Sequence, residues 1–414
     1  MRPIFVATIL CALGASALAQ EAAKPAPAAP AATKKVKAAK PPADDIIVIN
    51  AGGDVSYANG WNGEDVCDKM GAELFASIRP LLAQGDLNFA NLETPFTEAT
   101  PAVQKEFIIV SKPHRLKWLT DAGFNLFSNA NNHSMDAGKQ GLVDTLALLT
   151  SLSTEERPLV WAGTGVTSDD AKEVKVFTPK GKRTKFAFMA LGNNGSNLVA
   201  SVYSKDVPER IKAAAASADV VIVSSHHGKE YEHVPSPDTV RMYHGFIDAG
   251  AKIVFAHHPH VVQGVERYNG GVIFYSLGNL SFNSKTKRHH ETGAKLYSML
   301  GRVVVKNGQI DSVGAFPLYA NNTEALVVGE EKLMPKHAQP QLLTGAFANK
   351  VLEDLVTWSR KIPTKAPPTA YSSALDSLVV GDSAPPAVAS APAASPAPAG
   401  TGTGPAQAAP TDTP

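Results

Sequence analysis

Cysteine is nearly absent: the 414-residue chain has two, Cys11 and Cys67. Cys11 falls in the apolar opening segment, so the rest of the chain has a single thiol and no internal disulfide. The fold is expected to be held by its core. A charge excess is missing too. The net charge of +1 gives no footing for nucleic-acid binding. Long apolar runs are confined to the opening segment, and no later stretch is long enough to span a membrane. No internal repeat is visible.

The ends differ from the middle in composition. Residues 1–19, MRPIFVATILCALGASALA, carry one Arg, an apolar stretch and a small-residue end, which reads as a secretory signal peptide. Leu10, just before Cys11, is too large for a lipid-attachment site. Residues 20–44 are rich in Pro, Ala and Lys and lack an apolar period, which predicts a stiff, extended linker. Residues 383–414 are again Pro/Ala-rich and are expected to form a disordered tail. Between them lie a domain over 45–283 and a C-terminal part, 284–382, expected to complete that domain or pack on it. Such a chain is expected to be exported, to the periplasm or as a secreted protein.

Within the domain, β-branched runs alternate with amphipathic ones. Strands are expected at 45–51, 87–92, 125–129, 185–191, 219–224, 252–256 and 272–275. Helices are expected at 71–83, 112–122, 138–149, 207–216 and 236–249. A hairpin is expected to turn at Asn307-Gly308. This alternation implies a layered α/β domain, in which ligand residues gather past the carboxyl ends of strands.

Those ends are chemically uniform. Asp54 follows the first strand, Glu93 the second, Asn131-Asn132-His133 with Asp136 the third, His226-His227 another, and His257-His258-Pro259-His260 the next. Seven of the twelve histidines fall between 226 and 260. Taken singly, Asp54 reads as a turn or capping residue, Glu93 as a solvated loop residue, and each histidine as a satisfied side chain. Taken together, carboxylates, an amide and imidazoles on one rim fit a dinuclear metal site with mixed oxygen and nitrogen ligands. Mn, Fe and Zn all suit such ligands, so two divalent ions of one of these kinds are the expected cofactors.

The blocks GGDVSY, DLNFANLETP, NANNHSMDAGKQGL, SSHHGKEYEHVPS and AHHPHVVQGVERYNGGVIFYSLGNLSF occur in this order over about 46–283. They closely resemble the bacterial capsule-synthesis family of the CapA or poly-γ-glutamate biosynthesis type, which looks like a branch of the calcineurin-like metallophosphoesterases. The resemblance implies a four-layer α/β/β/α sandwich of that type. It also implies Asp54 on one metal, Glu93 bridging, Asn132 and His226 on the second, and His258 and His260 divided between the two. His133 would stand beside the metals as an acid, oriented and charged by Asp136.

The chain departs from the wider superfamily at several points. Ser56 stands where a His is usual, and Glu93 where the bridging residue is usually Asp after Gly. Gly85-Asp86 is a rival for that bridging role but precedes its strand. His257 is expected to pack or support rather than ligate. Gln263, Glu266 and 276–279 carry the resemblance without an evident chemical role.

Two readings follow. One is a metal-dependent hydrolase acting on a phosphoester, or on an amide or ester of a capsule polymer. The other is a polymer-binding or assembly factor for an anionic capsule polymer, with cell-envelope partners. For a polymer substrate or ligand, Lys229, Arg267 and the 285–288 run would supply positive charge near the rim, the run otherwise reading as a solvated loop.

Overall fold

The computed structural model describes residues 43–284, 287–374 and 376–381. The expected signal segment, nearly all of the expected linker, and the expected tail from 383 lie outside the described residues. The described residues from Asp44 onward form one compact unit.

In chain order the strands are β1 (Ile46–Ser56), β2 (Leu87–Leu92), β3 (Leu126–Ser128), β4 (Val160–Ala162), β5 (Lys175–Phe177), β6 (Phe186–Gly192) and β7 (Val220–His226). There follow β8 (Ile253–His257), β9 (Val265–Tyr268), β10 (Gly271–Phe274), β11 (Asn279–Phe282), β12 (Tyr297–Lys306) and β13 (Gln309–Tyr319). One sheet runs β13-β12-β1-β2-β3-β4 and is extended beyond β13 by Ser377–Val380 and Tyr371–Ala374. The other runs β5-β6-β7-β8-β10-β9. The pairs β1–β2, β2–β3, β3–β4, β6–β7, β7–β8 and β8–β10 are parallel.

Alternation along the strands builds the layers. In β6, Phe186, Phe188 and Ala190 join Ile47, Ile49 and Phe89 in a core between the sheets. Ala187, Met189 and Leu191 face the other way, onto the helices Val207–Ala215 and Pro237–Asp248. The larger sheet's outer face packs Val55, Leu92 and Phe127 against helix Leu116–Ala122 and helix Gly138–Leu152. Helix, sheet, sheet and helix therefore stack as the α/β/β/α sandwich expected from the sequence.

Two local differences from the sequence reading have plain causes. The helix expected over 71–83 is broken into a 3-10 turn, Gly71–Phe75, and a short helix, Arg79–Leu82. Pro80 suits the first turn of the second piece and cannot donate to the first. The first strand does not stop before Gly52-Gly53-Asp54 but runs through to Ser56. It exchanges one partner on the way, pairing with β12 over Ile46 to Ala51 and with β11 from Asp54 onward. The glycines permit this crossing: a Cβ on Gly53 would lie 1.7 Å from the Gly278 carbonyl oxygen. The C-terminal part adds β12 and β13 to the same sheet as β1, joined by a turn at the expected Asn307-Gly308, both with positive φ (51° and 76°).

Candidate metal centre

The carboxyl ends of β1, β2, β3, β7 and β8 meet where the two sheets face each other. Asp54 is fully buried on β1. Its backbone N–H donates to the Gly278 carbonyl (3.0 Å), and its carboxylate accepts from Asn91 Nδ2 (2.8 Å) and the His258 backbone N–H (3.1 Å). His257 Nδ1 and His260 Nδ1 stand 3.4 and 3.6 Å from its two oxygens.

Glu93 follows β2 and is also fully buried. Neither of its carboxylate oxygens has a hydrogen-bond partner. Around Oε1 lie His226 Nε2 at 3.5 Å, His260 Nε2 at 3.8 Å and His133 Nε2 at 3.9 Å. His226 Nε2 is 2.7 Å from Asn132 Oδ1 and 2.9 Å from His258 Nδ1. The six residues expected as ligands from the sequence thus share one cluster.

Backbone strain accompanies this arrangement. His258 and His260 have φ of 101° and 60°, a region costing a residue with a Cβ about 1–3 kcal/mol. Pro259 sits between them, and the turn aims both rings back at β1.

The charge states follow from burial. Burial alone would raise the Asp54 carboxyl, but the imidazoles of His257 and His260 and the Asn91 amide hold it below the usual carboxylate range. Glu93 is pushed well above its ordinary value, first by burial and then by the Asp54 charge. Burial and the neighbouring rings drive His226 well down and bring His258 to about 3. These two imidazoles are therefore neutral, with lone pairs available. This donor set fits divalent cations: a buried, unpartnered carboxylate beside an ionised one needs positive charge, and neutral rings complete coordination. Glu93 groups with His226 and His258 on one side and with Asp54 and His260 on the other. Buried Asp, Glu and His groups that could hold an ion recur there as three overlapping trios: Asp54, His226 and His257; Glu93, His226 and His258; and Asp54, Glu93 and His260.

His257 lies deeper. Its Nδ1 is 2.8 Å from His226 Nδ1 and its Nε2 is 2.8 Å from Ser224 Oγ. Two tautomer arrangements fit these contacts: Ser224 to His257 to His226 to Asn132, or the reverse, in which His226 donates from Nδ1 to His257 and His257 from Nε2 to Ser224. Only the second leaves His226 Nε2 as a lone pair facing Asn132 and Glu93, the state a metal ligand needs.

His133 stands at the edge, its Nδ1 2.7 Å from Asp136 Oδ2. The expectation that Asp136 would charge this ring needs correction. Burial lowers its proton affinity, Asp136 opposes that, and Lys105 lowers it further, leaving the ring below the usual imidazole range. Lys105 Nζ is 2.6 Å from Asp136 Oδ1 and 3.0 Å from His133 Nδ1, so the Asp136 charge is shared.

The family model for bacterial capsule synthesis protein PGA_cap matches residues 48–284, more than half of the chain. The chain belongs to the PGA_cap family. Among this PGA_cap protein's relatives, the PGA biosynthesis protein CapA of Bacillus subtilis is 32% identical over 281 residues, covering 65% of this chain and 71% of that one. The capsule biosynthesis protein CapA of Bacillus anthracis is 27% identical over 287 residues, covering 64% and 67%. A probable polyglutamine synthesis accessory protein of Mycobacterium tuberculosis is 26% identical over 253 residues, covering 56% and 66%. The crystal structure of TT1561 of Thermus thermophilus aligns with a TM-score of 0.37 at 10% identity, over 62% of this chain and 93% of that one.

Other sequence expectations separate cleanly in this PGA_cap protein. Asp86, the rival for Glu93, sits at the opposite end of β2. It accepts from the Val48 N–H (2.8 Å) and pairs with Lys182 (2.8 Å). Ser56 is buried with its hydroxyl unpartnered. Glu266 accepts from His244 and the Tyr275 hydroxyl, away from the metal ligands. Gln263 donates to the Glu232 carbonyl at 2.7 Å. Lys229 is exposed and paired with Glu232, and Arg267 lines a different cavity with Asp311 and Pro367. Of the expected cations, Arg288 lines the pocket at the centre, with His133, Glu230, Tyr231 and His260. Lys285 and Thr286 lie outside the described residues.

Sequence reasoning missed Lys105, which sits in a stretch without periodicity or motif. It also gave no role to Asn279, whose Oδ1 is 2.8 Å from His260 Nδ1. Gly278 explains that segment, since its φ of 73° lets the chain pass β1 closely and delivers Asn279 to the ring.

Proposed function

We propose that this PGA_cap protein is an exported, metal-dependent hydrolase of an anionic substrate of the cell envelope, with phosphoesterase-type chemistry. The observation that carries this reading is the fully buried Glu93 carboxylate, both oxygens unpartnered, at the meeting point of Asp54, His226 and His260. Asp54, Glu93, Asn132, His226, His258 and His260 would hold two divalent ions. Bound there, such ions lower the pKa of water and neutralise charge developing on an attacked group.

The chain's own residues do the rest. Asp136 fixes His133 through Nδ1, so Nε2 is the atom turned to the centre and available for a proton. The negative charge of an arriving substrate favours a proton on that nitrogen, and the ring can then hand it to a leaving oxygen. Arg288, stacked over Phe107 at 4.8 Å, and the aromatic rings of Trp61 and Phe282 wall the pocket beside it. The names of the Bacillus relatives place them in capsule and PGA biosynthesis, which supports an anionic envelope polymer as the substrate class.

The second reading, binding an anionic polymer without cutting it, is favoured by one observation. Lys105 Nζ contacts both Asp136 and the His133 ring, and burial together with that charge lowers the ring's proton affinity, which weakens it as a resting general acid. Metal-dependent turnover decides between them. Hydrolysis of a small phosphoester by the Mn-loaded protein, lost in Glu93→Ala, is the outcome expected. No turnover with any of Mn, Fe or Zn, together with retained binding of polyglutamate, would replace the first reading by the second.

A further inference from the structure

A second group of metal-type side chains lies outside the centre. Helix His289–Thr292 and the turn after β13 bring together His289, His290 and Glu324. His289 is only 2% exposed, yet neither ring nitrogen makes a hydrogen bond. Its Nε2 is 3.3 Å from Glu324 Oε1, and His290 Nε2 is 2.5 Å from the same oxygen. Neither approach has hydrogen-bond geometry, since Glu324 Oε1 is itself without a hydrogen-bond partner. The ring centroids are 4.2 Å apart with planes tilted by 32°, and both Nε2 atoms face the same Glu324 oxygen. Glu324 is held from behind: its N–H donates to Asn321 Oδ1 (3.1 Å), and its carbonyl accepts from the Tyr319 hydroxyl (2.7 Å).

A buried imidazole with no partner is unfavourable unless something else uses its lone pair. Two imidazoles and one carboxylate meeting at a point form a facial N2O donor set that leaves positions for water or a ligand. We infer that His289, His290 and Glu324 bind a third divalent transition-metal ion, separate from the dinuclear centre. Two nitrogen donors select Zn, Co, Ni or Fe over Mg or Ca. Lys350, on the same cavity, is paired with Asp354 (2.8 Å) and does not occupy the carboxylate.

The position gives the site a use. One cavity is lined by both His260 and Asn279 of the centre and by His289, together with Tyr297 and Asn321. A cation at His289 would hold a second acidic group of a chain whose reacting group sits at the centre; this consequence rests on the proposed function, whereas metal binding itself does not.

Metal content tests it. Untagged full-length protein is loaded with Co(II), dialysed and analysed for metal per chain, with the visible d–d absorption recorded. His290 and Glu324 are both partly exposed, at 48% and 38% of their side chains, so His290→Ala and Glu324→Gln leave the core intact. Each should lose about one ion per chain relative to wild type. In a Glu93→Ala background one ion should persist and disappear when His290→Ala is added. If Glu93→Ala and the double variant bind the same amount of Co(II), the third site does not exist. If Glu93→Ala loses nothing while His290→Ala loses one ion, the third site stands and the dinuclear reading falls.

Discussion

Glu93 carries a stability prediction that can be worked through. Its carboxylate is buried, unpartnered and beside ionised Asp54, so its folded-state pKa lies above the unfolded value. An acid of this kind binds its proton more tightly when folded. In metal-free protein it therefore subtracts stability as pH rises from about 4.3 toward the folded value, and subtracts its full amount above that. Glu93→Gln keeps the shape and removes the titration. The Gln amide is left as unpartnered as the acid, so the difference is the cost of carrying the charge, about 1.4 kcal/mol for each unit by which the folded pKa exceeds the unfolded one. At about 2 kcal/mol, and with an unfolding entropy of about 2.1 cal/mol/K per residue, the variant should melt roughly 3 °C above wild type in chelator at pH 8. That advantage should vanish near pH 4. Loading with Mn or Zn should reverse the order. Ligation at 100-fold excess over Kd stabilises by about 2.7 kcal/mol per site, and Glu93→Gln forfeits much of it. The assay is a thermal melt of both proteins, with EDTA and with metal, from pH 4 to 8. If wild type is the more stable in EDTA at pH 8, or if metal moves both proteins equally, the account of Glu93 is wrong.

Other expectations concern separate links of the same argument. His133→Ala should keep its metal, by elemental analysis, and lose about 10²–10⁴-fold in turnover of any phosphoester the protein cleaves; an unchanged rate would remove His133 from the proton path. Gly53→Ala forces a Cβ onto the Gly278 carbonyl, and should cost about 3 kcal/mol in urea unfolding while loosening metal through Asp54 and Asn279. Arg115 is fully buried and donates to Asp68 (2.8 Å), with Glu64 at 2.5 Å. Burial works to raise both acids, but Arg115 outweighs it and holds them below their ordinary values. Their stabilisation is present above the unfolded value near about 4 and is lost as pH falls through the depressed folded values. Urea midpoints measured from pH 5 down to 3 should fall more steeply for wild type than for Arg115→Met; parallel curves would exclude the pairing as the cause.

Much of the layering was legible because it rests on local pattern. FAFMALG and DVVIVS alternate or run apolar over strand lengths, and the helices between them show their stripes. The expected ligands were legible for another reason: a parallel strand delivers its next residues to the sheet's carboxyl edge, so Asp54, Glu93, His226 and His258 could be grouped without coordinates. What stayed hidden depends on contacts distant in sequence. Lys105 reaches Asp136 from a stretch with no period. The exchange of β1's partner at Gly52-Gly53 needs Gly278, more than two hundred residues away. The positive φ at His258 and His260 is stabilised by the fold around them, and neither residue type announces it. His289-His290 was passed over because its carboxylate, Glu324, arrives only when β12 and β13 have paired.

The most direct test is anomalous diffraction from crystals of the protein grown with Mn or Zn, recorded at the metal's absorption edge. The account predicts two peaks among Asp54, Glu93, Asn132, His226, His258 and His260, with Glu93 touching both. A metal-replete crystal with no peak inside that cluster would contradict it.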